Sequence, residues 1–268
     1  MSTPKPSGVP SRMPVLFLGH GSPMNALDDT VYSRAWRDLG SSVPTPSAIL
    51  AVSAHWYVDG TFLTNNAAPE TIHDFGGFPR ALFEMQYPAR GDAALAARIA
   101  QLLSGDGAST RGDWGLDHGT WSVLVHLRPK ADVPVVQLSI DRRAKPETHL
   151  AIGRALGSLR DQGVLILASG NVTHNLRHAM TRMATGGSSS PTWATNFDAS
   201  IAKAVEQRDH EFLARAAATD DGRMAHPSPD HYFPLLYAAG ATTEADRVMF
   251  PVTGMDLGSL SMRSIRWG

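Results

Sequence analysis

The chain contains no cysteine. That absence removes a disulfide framework, a thiol nucleophile and any thiolate-held metal, so an ion bound here must be held by nitrogen and oxygen. Charge is also sparse. Only 18% of the 268 residues are charged and the formal net charge is -1, which leaves no electrostatic case for nucleic acid or an anionic membrane. No apolar run approaches the ~20 residues of a membrane-spanning helix. The G-x-S-x-G elbow of the α/β-hydrolases and the H-E-x-x-H helix of the zincins are both missing, which disfavours serine hydrolysis and zincin chemistry. Residues 1–13 carry three prolines and no apolar core of a signal peptide, so a cytoplasmic location is the expectation.

What is present is a 43% hydrophobic composition arranged in short blocks. Residues 14–18, 48–53, 133–140 and 164–168 are continuous Val, Ile and Leu-rich runs too short for helices, which suits strands buried on both faces of a parallel sheet. Helical periodicity lies between and after them, over 92–103, 146–159 and 197–217. Strand character returns at 247–252 and at 259–267. In the latter, Leu260 and Met262 alternate in one phase and Ile265 and Trp267 in the other, predicting a bulge. The alternation argues an α/β fold: one domain, a central mostly parallel twisted sheet flanked by helices, and a site at the C-terminal ends of the strands. Residues 1–12 read as a flexible leader.

Eleven histidines are then the main chemical resource. Three of them, His20, His55 and His174, follow predicted strands and would meet at one rim if those strands are parallel neighbours. Glycines flank His20 in Gly19-His20-Gly21-Ser22-Pro23, where the backbone can turn sharply beside a small ligand or simply leave the strand tightly. His55 precedes Trp56 and Tyr57, which could wall an aromatic pocket or be ordinary packing. Residues 71–79 form a glycine-containing aromatic loop able to close over such a pocket. His118 follows Asp117 on a polar turn and suits proton transfer or substrate binding, although adjacent side chains seldom bond each other. His174 is bracketed by Asn171, Thr173 and Asn175, and His178 follows four residues later. His231 sits in a proline-stiffened loop before an apolar helical stretch. His126 reads as structural, while His73, His149, His178 and His210 read as solvent-facing or capping residues.

Six segments in order carry a resemblance: Gly19-His20-Gly21-Ser22-Pro23-Met24, Ser53-Ala54-His55-Trp56, Phe75-Gly76-Gly77-Phe78-Pro79, Leu116-Asp117-His118-Gly119-Thr120-Trp121, Gly170-Asn171-Val172-Thr173-His174-Asn175 and His226-Pro227-Ser228-Pro229-Asp230-His231. Together they resemble the extradiol aromatic-ring-opening dioxygenases of the DOPA dioxygenase branch, related to the catalytic subunit of protocatechuate 4,5-dioxygenase. The resemblance implies that residues 13–268 are an extradiol dioxygenase-like catalytic domain. It implies a non-haem metal held by His20 and His55, with His231 where the protocatechuate enzymes use glutamate, and His174 as either a further ligand or the catalytic base, with His118 a second catalytic histidine. Fe(II) is the ion expected for catalysis and Zn(II) a possible occupant. The implied reactants are a small aromatic diol, DOPA-like, and O2. A zinc-dependent hydrolase using the same imidazoles is the alternative. The oligomeric state stays open.

Overall fold

The computed structural model describes residues 12–187 and 189–268. The leader expected over residues 1–12 lies outside the described residues except for Arg12. Strands are β1 (Val15–Gly19), β2 (Ala48–Val58), β3 (Phe62–Thr64), β4 (Ser109–Arg111), β5 (Val135–Asp141), β6 (Val164–Gly170), β7 (Val248–Val252), β8 (Met255–Asp256), β9 (Leu260–Ser261) and β10 (Ser264–Trp267). Helices are α1 (Val31–Ser42), α2 (Arg80–Phe83), α3 (Ala93–Leu102), α4 (His118–Leu127), α5 (Pro146–Leu156), α6 (Leu176–Ala184), α7 (Thr192–Gln207), α8 (His210–Arg215), α9 (Asp220–Ala225) and α10 (Phe233–Gly240). No described helix is long and apolar enough to cross a membrane.

Eight strands form one sheet in the order β4-β3-β5-β2-β6-β1-β10-β7. The central β5, β2, β6 and β1 are mutually parallel, while β10 and β7 add antiparallel pairs at one side. The continuous apolar runs are explained by burial on both faces. Leu16, Leu18, Ile49, Ala51, Leu165 and Leu167 pack with Trp36 of α1 and Trp121 of α4. The alternate residues Val15, Phe17, Leu50, Val52, Ile166 and Ala168 pack with α3, α5, α7 and α10 on the other face. The sheet's parallel centre therefore aims the ends of β1, β2 and β6 to one side, where ligands collect in open α/β sheets.

Several boundaries differ from the sequence expectation for local reasons. The β2 strand runs past Ser53 through His55 to Val58, with a register shift against β5 between Val52 and Tyr57. The segment expected as one helix over 197–217 is broken, because Arg208 adopts a left-handed conformation at φ 54 between α7 and α8. The C-terminal phase change is real: β9 and β10 are separate strands, and β10 meets β7 with a register shift between Ser264 and Arg266. The α1 helix lies outside the expected segments although Val31, Ala35, Trp36 and Leu39 recur at helical spacing, whereas α4 has no periodic signature. Eight of the ten residues of α4 are buried, polar and apolar alike, so no apolar stripe is visible in the sequence.

Candidate metal centre

Five histidines, His20, His55, His118, His174 and His231, gather where β1, β2 and β6 end. His20 is the residue after β1, and its amide donates to the Gly170 carbonyl at the end of β6 at 3.0 Å. His55 projects from β2 beyond the register shift. His118 is the first residue of α4, whose cap is Asp117: its carboxylate accepts from the Thr120 amide. His231 closes a short 3-10 turn, Pro229–His231, and its carbonyl accepts from the Asn171 amide at 2.9 Å.

Two glycines make this convergence possible. A Cβ on Gly119 would lie 2.5 Å from Ser53 Oγ, 2.8 Å from His55 Cδ2 and 3.3 Å from His20 Cε1. The first turn of α4 is thus pressed directly onto two imidazoles. A Cβ on Gly170 would lie 2.2 Å from the His231 carbonyl oxygen, so only glycine lets the His231 loop dock on the end of β6.

The hydrogen bonds around the cluster determine which nitrogen each ring offers. Ser169 Oγ spends its proton on the Gly119 carbonyl, so toward His20 Nδ1, 3.0 Å away, it can only accept. Asp74 carries two imidazoles on one carboxylate: Oδ2 lies 3.0 Å from His55 Nδ1 and Oδ1 lies 2.9 Å from His118 Nδ1. The same Oδ1 accepts from the His118 backbone N–H at 2.9 Å. Asp230 accepts from His231 Nδ1. All four rings therefore hold their proton on Nδ1 and present a bare Nε2, and the Nε2 atoms of His20 and His55 face each other at 3.3 Å. The His174 ring, by contrast, makes no hydrogen bond among the described residues; it stacks on His231 with ring centroids 3.5 Å apart and planes within 2°.

Electrostatics favour the neutral form of every ring in the cluster except His55. Burial, reinforced by the neighbouring histidines, holds His20 and His231 well below the usual imidazole range. Burial also lowers His118, and it takes His174 to about 3. His55 alone is raised: burial works against its charged form, but the Asp74 bond and nearby acids outweigh it. Asp74 is held below the usual carboxylate range despite partial burial, because both imidazoles bond it.

This donor set fits a divalent metal. Ligand nitrogens of His20, His55 and His118 lie within 4.8 Å of one another. The ring centroids of His20, His55 and His231 form a nearly equal-sided triangle of 5.1, 5.2 and 5.0 Å. Neutral imidazoles, each braced through Nδ1, are what a nitrogen-ligated site needs.

The sequence-selected residues His20, His55, His118, His174 and His231 all reach this cluster, and His126 is structural as expected, with its Nε2 2.7 Å from the Asn25 carbonyl. Asp117 does not orient His118; its carboxylate instead accepts from Ser53 Oγ at 2.6 Å and from Gln137. The orienting acid is Asp74, which sequence reasoning passed over within the 71–79 loop. Its signal was an acid immediately before Phe75, whose ring packs edge-on to His118 at 5.4 Å. His149 is neither solvent-facing nor a cap, being fully buried with Nδ1 2.9 Å from the Tyr237 hydroxyl. His174 and His178 do not form a helical pair, because α6 starts only after its cap Asn175.

A parallel-centred α/β sheet with a histidine metal centre at its carboxyl edge defines a class, the metal-dependent α/β enzymes with an open site. The comparisons identify which. The family described as the catalytic LigB subunit of aromatic ring-opening dioxygenase matches residues 15–255. A 4,5-DOPA dioxygenase extradiol of Escherichia coli (strain K12) is 46% identical over 266 residues, covering 96% of each chain. One from Beta vulgaris is 36% identical over 259 residues, covering 94% of this chain and 95% of its own. A crystal structure of an uncharacterized protein from Escherichia coli K12 has a TM-score of 0.83 and 41% identity, and the match covers 96% of this chain and all of that one. The chain belongs to the LigB family of aromatic ring-opening dioxygenases, and is an extradiol-type oxidoreductase.

Proposed function

We propose that this enzyme opens the ring of a DOPA-like catechol with O2, using Fe(II) held by His20, His55 and His231. The ligand assignment is supported by the convergence of those three rings, at 5.1, 5.2 and 5.0 Å between centroids, with His231 standing where the family resemblance places the third ligand; the nitrogens of His118 also come within 4.8 Å of those of His20 and His55, so His118 borders the same ion. The bound metal would supply adjacent sites for the two diol oxygens and for dioxygen, and a path for electrons between them.

The chain's own residues do the rest. Asp74, Ser169 and Asp230 hold the ligand rings in the tautomer that exposes Nε2. His174 is the proton acceptor for the catechol hydroxyl in this reading: it is neutral, unbraced and lines the cavity beside the cluster. The anion that this transfer leaves on the diol favours the charged form of the ring and so offsets the burial that lowers it. His118 is fixed by Asp74 with a bare Nε2 toward the cluster and is the second acid–base histidine in this reading: it must take up a proton at Nε2 before it can return one. Phe75 packs against His118 and limits water there. Family membership favours ring opening over zinc hydrolysis at the same imidazoles.

The test is anaerobic reconstitution. With Fe(II), addition of a catechol and air should give catechol-dependent oxygen uptake and a yellow ring-opened product, and zinc should give little. His20→Ala, His55→Ala or His231→Ala should lose the metal, whereas His118→Ala should keep it and lose turnover. No oxygen consumption across a catechol panel at full iron occupancy would sink the assignment, and stoichiometric metal in His20→Ala would sink the ligand set.

A further inference from the structure

A cavity of about 510 Å3 opens beside His174 and Asp230. Its lining pairs the apolar residues Leu176 and Met224 with the basic residues Arg177 and Arg223. Both apolar side chains are about half exposed, at 50% and 48%, which leaves apolar surface for an occupant of the cavity to cover.

The charges in this cavity are not equivalent. Arg223 is engaged, donating to the Asp220 carboxylate and the Ala218 carbonyl. Asp230 is turned to His231 Nδ1. Arg177 makes no ion pair and its side chain makes no hydrogen bond among the described residues. It also sits in the first turn of α6, at the positive end of that helix, where a further cation is disfavoured unless an anion joins it. Arg223 and Asp230 are engaged inside the protein, whereas Arg177 is exposed and unengaged among the described residues, so its fork is free to take an anion that enters the cavity.

We propose that Arg177 is the carboxylate anchor of the substrate cavity, so that the enzyme selects catechols bearing a side-chain carboxylate over uncharged ones. The inference rests on the ring-opening reading of the neighbouring site. The diol end of such a molecule reaches the histidine cluster past His174, its ring and linker lie against Leu176 and Met224, and its carboxylate meets the planar guanidinium fork, which matches a carboxylate with two parallel hydrogen bonds.

The probes are 3,4-dihydroxyphenylpropanoate and its primary amide, which differ in charge and hardly in shape. On the Fe(II)-loaded enzyme, kcat/KM should favour the acid by roughly 10- to 100-fold, the range of a hydrogen-bonded charge pair. In Arg177→Gln that preference should collapse toward unity, chiefly through KM for the acid. Arg177→Lys should restore part of it, because a point charge keeps the attraction and loses the fork. Raising the salt concentration should weaken the acid's advantage in the wild type. Equal kcat/KM for both probes in the wild type, or an undiminished preference in Arg177→Gln, overturns the inference alone. Oxygen uptake with neither probe overturns the ring-opening reading and the inference with it.

Discussion

Replacing Asp74 by asparagine keeps the shape of the side chain and tests how the ligand rings are braced. The Oδ1 position is held by two donors of His118, the backbone N–H and Nδ1, each at 2.9 Å. The amide oxygen of the variant stays there, so its NH2 group takes the Oδ2 position, 3.0 Å from His55 Nδ1. Two donors cannot share that contact. His55 must then carry its proton on Nε2, the nitrogen that faces His20 Nε2 at 3.3 Å, and a protonated Nε2 has no lone pair for a metal. Loss of an outer carboxylate costs 10- to 100-fold in metal affinity. The forced tautomer puts Asp74→Asn at the upper end, about 100-fold or about 2.7 kcal/mol. The fold should lose only about 1 kcal/mol, since the His118 bonds survive. Asp74→Ala leaves both Nδ1 groups unmatched and should cost the fold roughly 2–4 kcal/mol. Competition against a chromophoric chelator measures the affinity, circular dichroism melts of metal-free protein measure the fold, and imidazole 15N shifts report the tautomer. A folded Asp74→Asn with wild-type affinity, or with His55 still protonated on Nδ1, would refute the reasoning.

Gly119→Ala should reverse the usual benefit of alanine in a helix, because its Cβ would meet Ser53 Oγ at 2.5 Å and His55 Cδ2 at 2.8 Å. A loss of about 1–3 kcal/mol with weakened metal binding is expected from melts and metal analysis; a stabilised variant with full metal would contradict the packing argument. Acid should destabilise the metal-free protein. Burial lowers His149 and His226 to about 4 from an ordinary 6.5, so below pH 6.5 the unfolded chain binds protons that the folded chain refuses. Stability present above pH 6.5 is therefore lost as pH falls toward 4, about 1.4 kcal/mol per group at pH 5.5 and about 3 kcal/mol for the pair. Urea unfolding at pH 8 and 5.5 checks this, and equal stability at the two pH values would count against it.

The α/β class was legible because strands buried on both faces must be continuously apolar, and β1, β5 and β6 read that way directly. The His20 and His174 positions were legible for the same reason, as each follows such a run. Other features had no linear signature. α4 is buried on most sides, polar residues such as His118, Thr120 and Ser122 included, and so shows no amphipathic stripe. His55 was legible as a strand-end histidine, but the register shift between Val52 and Tyr57 on which it sits is marked by no local pattern.

The sequence by itself determined that nitrogen and oxygen donors must do any metal chemistry, and that histidines stand at the ends of buried strands in family order. Only the tertiary structure decided how those rings are held. Asp74, rather than the adjacent Asp117, braces His118 and His55, since bracing needs a carboxylate at hydrogen-bond distance in space and neighbours in sequence point apart. The same holds for Ser169, whose proton goes to the Gly119 carbonyl 50 residues away and leaves a lone pair for His20. Tautomer and ligand geometry are set by contacts between distant segments, which no reading along the chain contains.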